Sequence, residues 1–427
     1  MFLRFSTTNH LSIFEKQELS LIATSLKDGD QGLIASNLVP SGHVLPSAII
    51  YGANASGKSN VLKALRFMSA VVRSSHSQSR PDSGVPRVPF KLAHDASLRP
   101  TLCDIDFVVD GIRFHFGFEA TDKEFTSEWL YSFPSGRRQM LYERTGKKEI
   151  NFGRSLKGRN RVIADLTRDD SLFLSAAIQN NHEELTKVSK FFKTMAFSTN
   201  IAIEGHAVSI RFKDGQVDQR TIDFLRNTGT GIVDFQCVKF ERTAKERSAM
   251  NDIVAIFNKL NHDAYITSNI DPDGKATLIE LAHKADGGEM IFFKPDNESA
   301  GTRRLLILVS AVYKALDQGS LIVVDELDAS LHTQVCEAVV ELFSNPKTNP
   351  NGAQLIATTH DTNLMRSPIL RRDQIWFTEK DQKGATHLFP LSDVQTRRTD
   401  NIEKGYLQGR FGAIPFAGSV TALFGEL

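Results

Sequence analysis

One octapeptide constrains this 427-residue chain more than any other feature. Gly52-Ala53-Asn54-Ala55-Ser56-Gly57-Lys58-Ser59 fits G-x-x-x-x-G-K-[ST] in full. Its flanks fit as well. The apolar run Ala48-Ile49-Ile50 before it reads as a strand, and Val61, Leu65, Met68 and Val72 after it recur at i, i+4, i+7 and i+11, one face of a helix. Strand, glycine-rich turn and helix in that order make a phosphate cradle. The glycines let the backbone wrap closely round an anion, while successive N–H groups and the helix N-terminus point at it. Gly52, Asn54, Ala55, Ser56, Gly57 and Asn60 are therefore expected around the phosphates of a nucleotide. Lys58 supplies a point charge for the β- and γ-phosphates, and Ser59 offers a hydroxyl to Mg²⁺, a cation that prefers oxygen ligands.

A cradle alone does not choose among nucleotide-binding classes. The second constraint is Leu321-Ile322-Val323-Val324-Asp325-Glu326. Four apolar residues ending in an acidic pair read as a buried parallel strand, with its carboxylates at the sheet edge where ligands collect. Asp325 is expected to hold Mg²⁺ and its waters, and Glu326 to orient or deprotonate an attacking water. Acids that merely favour a helix dipole are the plainer alternative. Asp328 takes that plainer role, as N-cap of a helix over 330–343 with Leu331, Val335, Ala338 and Leu342 as its apolar stripe. Leu355-Ile356-Ala357-Thr358-Thr359-His360 is a further buried strand ending in polar residues. Upstream, Glu298-Ser299-Ala300-Gly301-Thr302 opens a helix whose stripe is Leu305, Leu308, Val309, Val312 and Leu316.

With these pieces in order, Asp325-Glu326-Leu327-Asp328-Ala329-Ser330-Leu331-His332 resembles the Walker B and D-loop of ABC-type ATPases of the SMC, RecF and OLD kind. His360 resembles their switch histidine, which contacts the γ-phosphate. The segment 298–302 resembles their degenerate signature motif, so Ser299 and Gly301 correspond to the serine and glycine that contact the γ-phosphate bound by the opposite subunit. Across 51–60, 298–304, 325–332, Thr359-His360 and the tail 404–415, the chain resembles the RloA/AbiLi-type ATPases of bacterial defence loci. These are relatives of the ABC-like subunits of PARIS, Septu and retron systems. The resemblance implies an α/β P-loop NTPase of ABC/SMC-head type, with a mixed β-sheet flanked by helices, a β-rich lobe and a largely helical insertion. It implies ATP and Mg²⁺ as cofactors, Glu326 and His360 as catalytic residues, and a homodimer or higher homo-oligomer that pairs head to tail. It also implies an anti-phage sensor or regulatory subunit controlling a separate effector, a nuclease or a TOPRIM-type protein. A DNA-repair or DNA-clamp ATPase of the RecF or SMC kind is the alternative, with nucleic acid as its partner. A nucleotide-binding scaffold without turnover is the third class. Two departures stand against the family pattern: no Q-loop glutamine can be placed, and no sustained heptads mark a coiled-coil arm.

The rest of the chain sets limits on these readings. Lys and Arg number 51 against 50 Asp and Glu, which excludes a uniformly basic nucleic-acid-coating protein. Cys103, Cys237 and Cys336 are far apart and form no CxxC, so a reducing compartment is expected. Met1-Phe2-Leu3-Arg4-Phe5 starts no secretory leader, and no apolar run nears membrane length, so the expected location is cytoplasmic, without membrane contact. The head divides into 1–180 and 291–427, with a mainly helical insertion over 181–290. Within the first part, Asp110-Gly111 joins two alternating runs into a hairpin that begins a β-lobe. Residues 73–89 read as a mobile surface loop. Helical patterns fall at 172–195 and 243–261, and a polar turn at Asp271-Pro272-Asp273-Gly274. His182-Glu183-Glu184 and the pairs Arg303-Arg304, Arg371-Arg372 and Arg397-Arg398 read as solvated surface.

Overall fold

A six-stranded sheet organises the computed structural model, which describes residues 1–29, 32–78, 84–146, 149–198, 218–241, 275–397 and 400–413. Its strand order is β11 (Ala196–Ser198), β15 (Leu321–Val324), β16 (Gln354–Thr358), β5 (Ser47–Gly52), β17 (Ile375–Lys380) and β18 (Thr386–Pro390). The first five run parallel and β18 is antiparallel. Gly52, Val324 and Thr358 therefore finish at one edge. Alternation along β5 assigns its side chains to two cores: Ala48 and Ile50 to one, Ile49 and Tyr51 to the other. Burial on both faces explains the apolar runs at the centres of β5, β15 and β16.

The first core lies under α1 (Lys58–Gln78) and a seven-stranded antiparallel sheet. That sheet runs β10 (Glu149–Phe152), β9 (Gln139–Thr145), β8 (Phe125–Phe133), β7 (Ile112–Ala120), β6 (Thr101–Val109), β1 (Phe2–Thr8) and β2 (Gln17–Ser20). The expected hairpin is present: Asp110 and Gly111 both have positive φ, 48° and 76°, as its tight turn requires. Phe107 stacks on Phe191 at 4.5 Å, and Phe116 packs edge-on to Phe192. Each buried phenyl contributes about 1.5–3 kcal/mol on area grounds. Three short helices, α2 (Asn160–Leu166), α3 (Phe173–Gln179) and α4 (Glu183–Thr194), close this side. A two-stranded ribbon, β3 (Ile34–Ala35) with β4 (His43–Val44), lies near the N-terminus.

The second core holds α6 (Ala300–Gln318) and α7 (Thr333–Ser344) against the other face of the central sheet. A third joins α6 to α5 (Gln219–Asn227) and a sheet of β12 (Ile232–Glu241), β13 (Lys275–Lys284) and β14 (Met290–Phe293). The helix α8 (Ile402–Leu407) ends the described chain's secondary structure.

Several expectations need correction. Residues 73–78 are the last turns of α1 rather than loop, because their polar groups dock on α3: Leu172 N–H donates to Ser75 Oγ and His76 N–H to Ser175 Oγ. The boundary at 181 falls inside the head. There α4 lends Phe191 and Phe192 to the first core, and β11 pairs in parallel with β15. The described part of 181–290 mixes helices with the β12–β13 pair and is not mainly helical. The helix expected at 243–261 and the turn at 271–274 lie outside the described residues. The buried face of α7 is Cys336, Val339, Val340 and Phe343; the expected stripe, Leu331, Val335, Ala338 and Leu342, is half-buried beside it.

The polar residues read as solvated surface also differ. His182 is buried as the N-cap of α4, with Nε2 against Asn160 Oδ1 at 2.8 Å. Arg371 is buried and pairs with Asp373, and Arg372 holds Asp28 at 2.7 Å. Arg303 and Arg397 are not buried, as expected, whereas Arg304 is inside.

Candidate nucleotide site

The phosphate loop is held by its neighbours as much as by its own sequence. Gly52 has φ 152°, and a Cβ there would lie 2.4 Å from Thr378 O on β17. Gly57 has φ 110°, and its Cβ would lie 2.0 Å from Thr386 Oγ1 on β18. Both positions thus require glycine for space as well as for backbone conformation. Ala55 also has positive φ, 63°. Ser56 Oγ hydrogen-bonds Thr378 Oγ1 at 2.6 Å, and Thr386 Oγ1 donates to Ser56 O at 2.9 Å. The amide of Asn60, expected at the phosphates, donates instead to Ser12 Oγ at 2.7 Å. Thr378, Thr386 and Ser12 are a brace that the motif does not announce.

The cradle makes a direct prediction. Gly57→Ala sets a methyl group against Thr386 in a backbone region costing an L-residue about 1–2 kcal/mol. ATP affinity is expected to fall by at least about tenfold with a lower melting temperature. Titration with a fluorescent ATP analogue checks it, and unchanged affinity would contradict the cradle geometry.

Lys58 opens α1 and its Nζ donates to Gly52 O at 2.8 Å and Ala53 O at 3.1 Å. It is buried, and desolvation lowers its pKa, with Asp325, Asp328 and Glu326 opposing that. Next to it, Ser59 Oγ donates to Asp325 Oδ1 at 3.0 Å. Thr358 Oγ1 donates to the same carboxylate oxygen at 2.6 Å and accepts Glu326 N–H at 2.7 Å. Glu326 has φ 52°, an uncommon left-handed conformation for glutamate. Lys58, Ser59, Asp325 and Glu326 therefore converge from the start of α1 and the end of β15.

The remaining positions divide. His360 follows β16 and is exposed; its N–H donates to Asp328 Oδ1 at 3.2 Å. Asp328 also accepts Thr359 Oγ1 at 2.8 Å. Asp328 thus ties the turn after β15 to the end of β16, and the N-cap of α7 is His332. Ser299 caps α6 through Oγ, which accepts Thr302 N–H at 3.0 Å. A Cβ on Gly301 would lie 2.6 Å from Ser330 O, so this pair of positions stands against the segment after β15. Arg304, one turn further along α6, donates to Asp325 O at 3.2 Å and also to Glu326 O. Its sequence signal was its register, four residues before Leu308 on the apolar stripe. The tail packs behind the cradle: Tyr406 stacks on Phe377 at 5.4 Å, donates to Ala413 O at 3.1 Å, and lies 6.3 Å from Tyr51.

A parallel sheet with the phosphate loop on its central strand and an acidic pair on a strand at the same edge defines a P-loop nucleotide-binding protein of α/β class. Residues 47–366 match the family described as AAA domain, putative AbiEii toxin, Type IV TA system. The chain belongs to this family. No curated protein matches the sequence. Among solved structures, the chain is similar to an SMC head domain from Thermotoga maritima, with 14% identity and a TM-score of 0.39, over 92% of this chain and 99% of that one. It is also similar to an ATP-binding cassette solved as a dimer in a post-hydrolysis state with ADP and Pi, with 10% identity and a TM-score of 0.29, over 91% and 98% of the two chains. Among the described residues, no helix is long and apolar enough to cross a membrane.

Proposed function

We propose that this chain is an ATPase whose nucleotide sits between two copies paired head to tail. The observation that carries the reading is the convergence of Lys58, Ser59, Asp325 and Glu326 at one sheet edge. The residues fit magnesium and a nucleotide. Ser59 Oγ and Asp325 Oδ1 are adjacent oxygen donors, the kind Mg²⁺ takes, and a positive-φ glycine turn leading into a helix is the backbone that turns N–H groups toward an anion. When bound, Mg²⁺ supplies charge neutralisation on the phosphates. Lys58 binds phosphate oxygens as a point charge. Asp325 is held in orientation by the hydroxyls of Ser59 and Thr358. Glu326 accepts the proton of an attacking water, and His360 stands at the end of β16 to sense the terminal phosphate. Ser299 and Gly301 present a hydroxyl and the α6 N-terminus to the nucleotide of the other copy.

Phosphate release by the purified chain tests the reading. Turnover with Mg²⁺–ATP is expected to cease on chelation with EDTA and in Lys58→Ala. ATP binding without phosphate release would establish a scaffold instead.

For the biology, we propose a regulatory subunit of an anti-phage system that controls a separate effector. The resemblance to defence ATPases and the toxin–antitoxin wording of the family description support it. A stoichiometric protein partner recovered with the native chain is the expected result. Tight, salt-dependent binding of duplex DNA by the chain alone would favour a DNA-clamp role instead.

A further inference from the structure

The backbone of Glu326 is pinned from two sides. Its N–H is taken by Thr358 Oγ1 on β16, and its carbonyl by the guanidinium of Arg304 on α6. Arg304 also takes the carbonyl of Asp325 at 3.2 Å, so one side chain spans both residues of the acidic pair. It is 8% exposed, which for an arginine entails a large desolvation cost. Burial lowers its pKa, while Glu326, Asp328 and Asp325 oppose that. Glu326 needs such a hold, because its φ of 52° costs an L-residue about 1–2 kcal/mol. The same face of α6 makes a second contact one turn earlier, where Gly301 leaves just enough room for Ser330 O. The first turns of α6 and the segment 325–330 thus touch at both ends, with Ser299 at the solvent end of that contact.

We propose that Arg304 is a positioning residue through which α6 sets the orientation of Glu326, so that hydrolysis responds to what engages Ser299 and Gly301. The ligand that engages them, on the reading above, is the terminal phosphate of ATP held by a second copy of this chain; the proposal rests on that reading for its trigger. A small rotation of α6 driven by that anion moves the guanidinium, and with it the carbonyls of Asp325 and Glu326. Arg304 touches no reacting atom. It acts by fixing the peptide that carries the base.

Two variants and two readouts test this in the full chain. Hydrogen exchange of the nucleotide-free protein needs no turnover. In Arg304→Met, amides over 326–330 are expected to exchange at least about tenfold faster, with α1 unchanged. Steady-state kinetics of the same variant should show kcat lower by about thirtyfold or more with KM within about threefold. Arg304→Lys keeps a charged donor and should recover part of the kcat. Unchanged exchange over 326–330 would overturn the proposal, as would a wild-type kcat in Arg304→Met or exchange raised equally in α1. If the wild-type chain releases no phosphate, the ATPase reading fails, while the exchange experiment still decides whether Arg304 holds the acidic pair.

Discussion

Glu326→Gln is expected to lower ATP turnover by about 10²- to 10⁴-fold while leaving ATP binding within a few-fold of wild type. Glutamine matches glutamate in size and keeps an oxygen for orienting water, but it cannot take a proton at neutral pH. The scaffold under it should survive, because the main chain of residue 326 keeps two anchors that do not depend on its side chain: the N–H on Thr358 Oγ1 and the carbonyl on Arg304. Lys58, Ser59 and Asp325 keep their contacts. Binding and chemistry therefore separate. Phosphate release at saturating Mg²⁺–ATP measures one, and a nucleotide titration measures the other. The variant should also accumulate as an ATP-bound dimer in sedimentation. Turnover within about fivefold of wild type would remove Glu326 from the reaction.

The largest stability effect is expected far from the nucleotide, at Glu128 on β8. This side chain is fully buried, and its carboxylate replaces the N-cap that α3 lacks: Oε2 accepts Phe173 N–H at 2.6 Å and Oε1 accepts Leu174 N–H at 2.9 Å. Tyr142 donates its hydroxyl to Oε1 at 2.8 Å. Burial raises the carboxyl's pKa, and nearby Arg144 and these three donors oppose the rise. Arg144 is itself 2% exposed and donates to Ser171 O at 2.7 Å. Glu128→Ala strips three donors of their acceptor at once, two helix N–H groups and a phenol, and removes the negative charge near the buried Arg144 guanidinium. Leaving three buried donors unsatisfied costs about 3–5 kcal/mol. Glu128→Gln retains one acceptor oxygen and should cost less. Urea unfolding followed by tryptophan fluorescence, with Trp129 beside the network, measures both variants. A loss under about 1 kcal/mol for Glu128→Ala would mean that the network is not what seats α3.

Local chemistry was legible in the sequence; what depends on distant partners was not. The octapeptide, its strand and its helix could be read because each is a contiguous pattern with one physical explanation. The acidic pair after four apolar residues had the same property. The brace from Thr378, Thr386 and Ser12 could not be read, since Thr378 and Thr386 lie more than 300 residues from Ser56 in sequence and Ser12 lies 48 residues from Asn60. β11 has only three residues, too few for any period, and gains its identity by pairing with β15. The Ser-rich end of α1 looked like loop because its hydroxyls and N–H groups find partners on α3 rather than in apolar packing. Asp328 looked like a helix cap because acids favour helix starts; the structure uses it to join two strand ends instead. Arg304 beside Arg303 looked like surface charge; its register with Leu308 marks the buried face of α6, and the fold shows that it reaches the acidic pair.

The composite site between two copies is the central claim, and subunit mixing tests it most directly. Lys58→Ala disables the cradle half, and Ser299→Arg blocks the half contributed by α6 of the other copy. Each variant alone should lack turnover. In an equal mixture, half the dimers pair one of each and carry one intact site out of two, so about a quarter of wild-type phosphate release is expected. A mixture as inactive as its components, while wild type turns over, would contradict a site shared between copies.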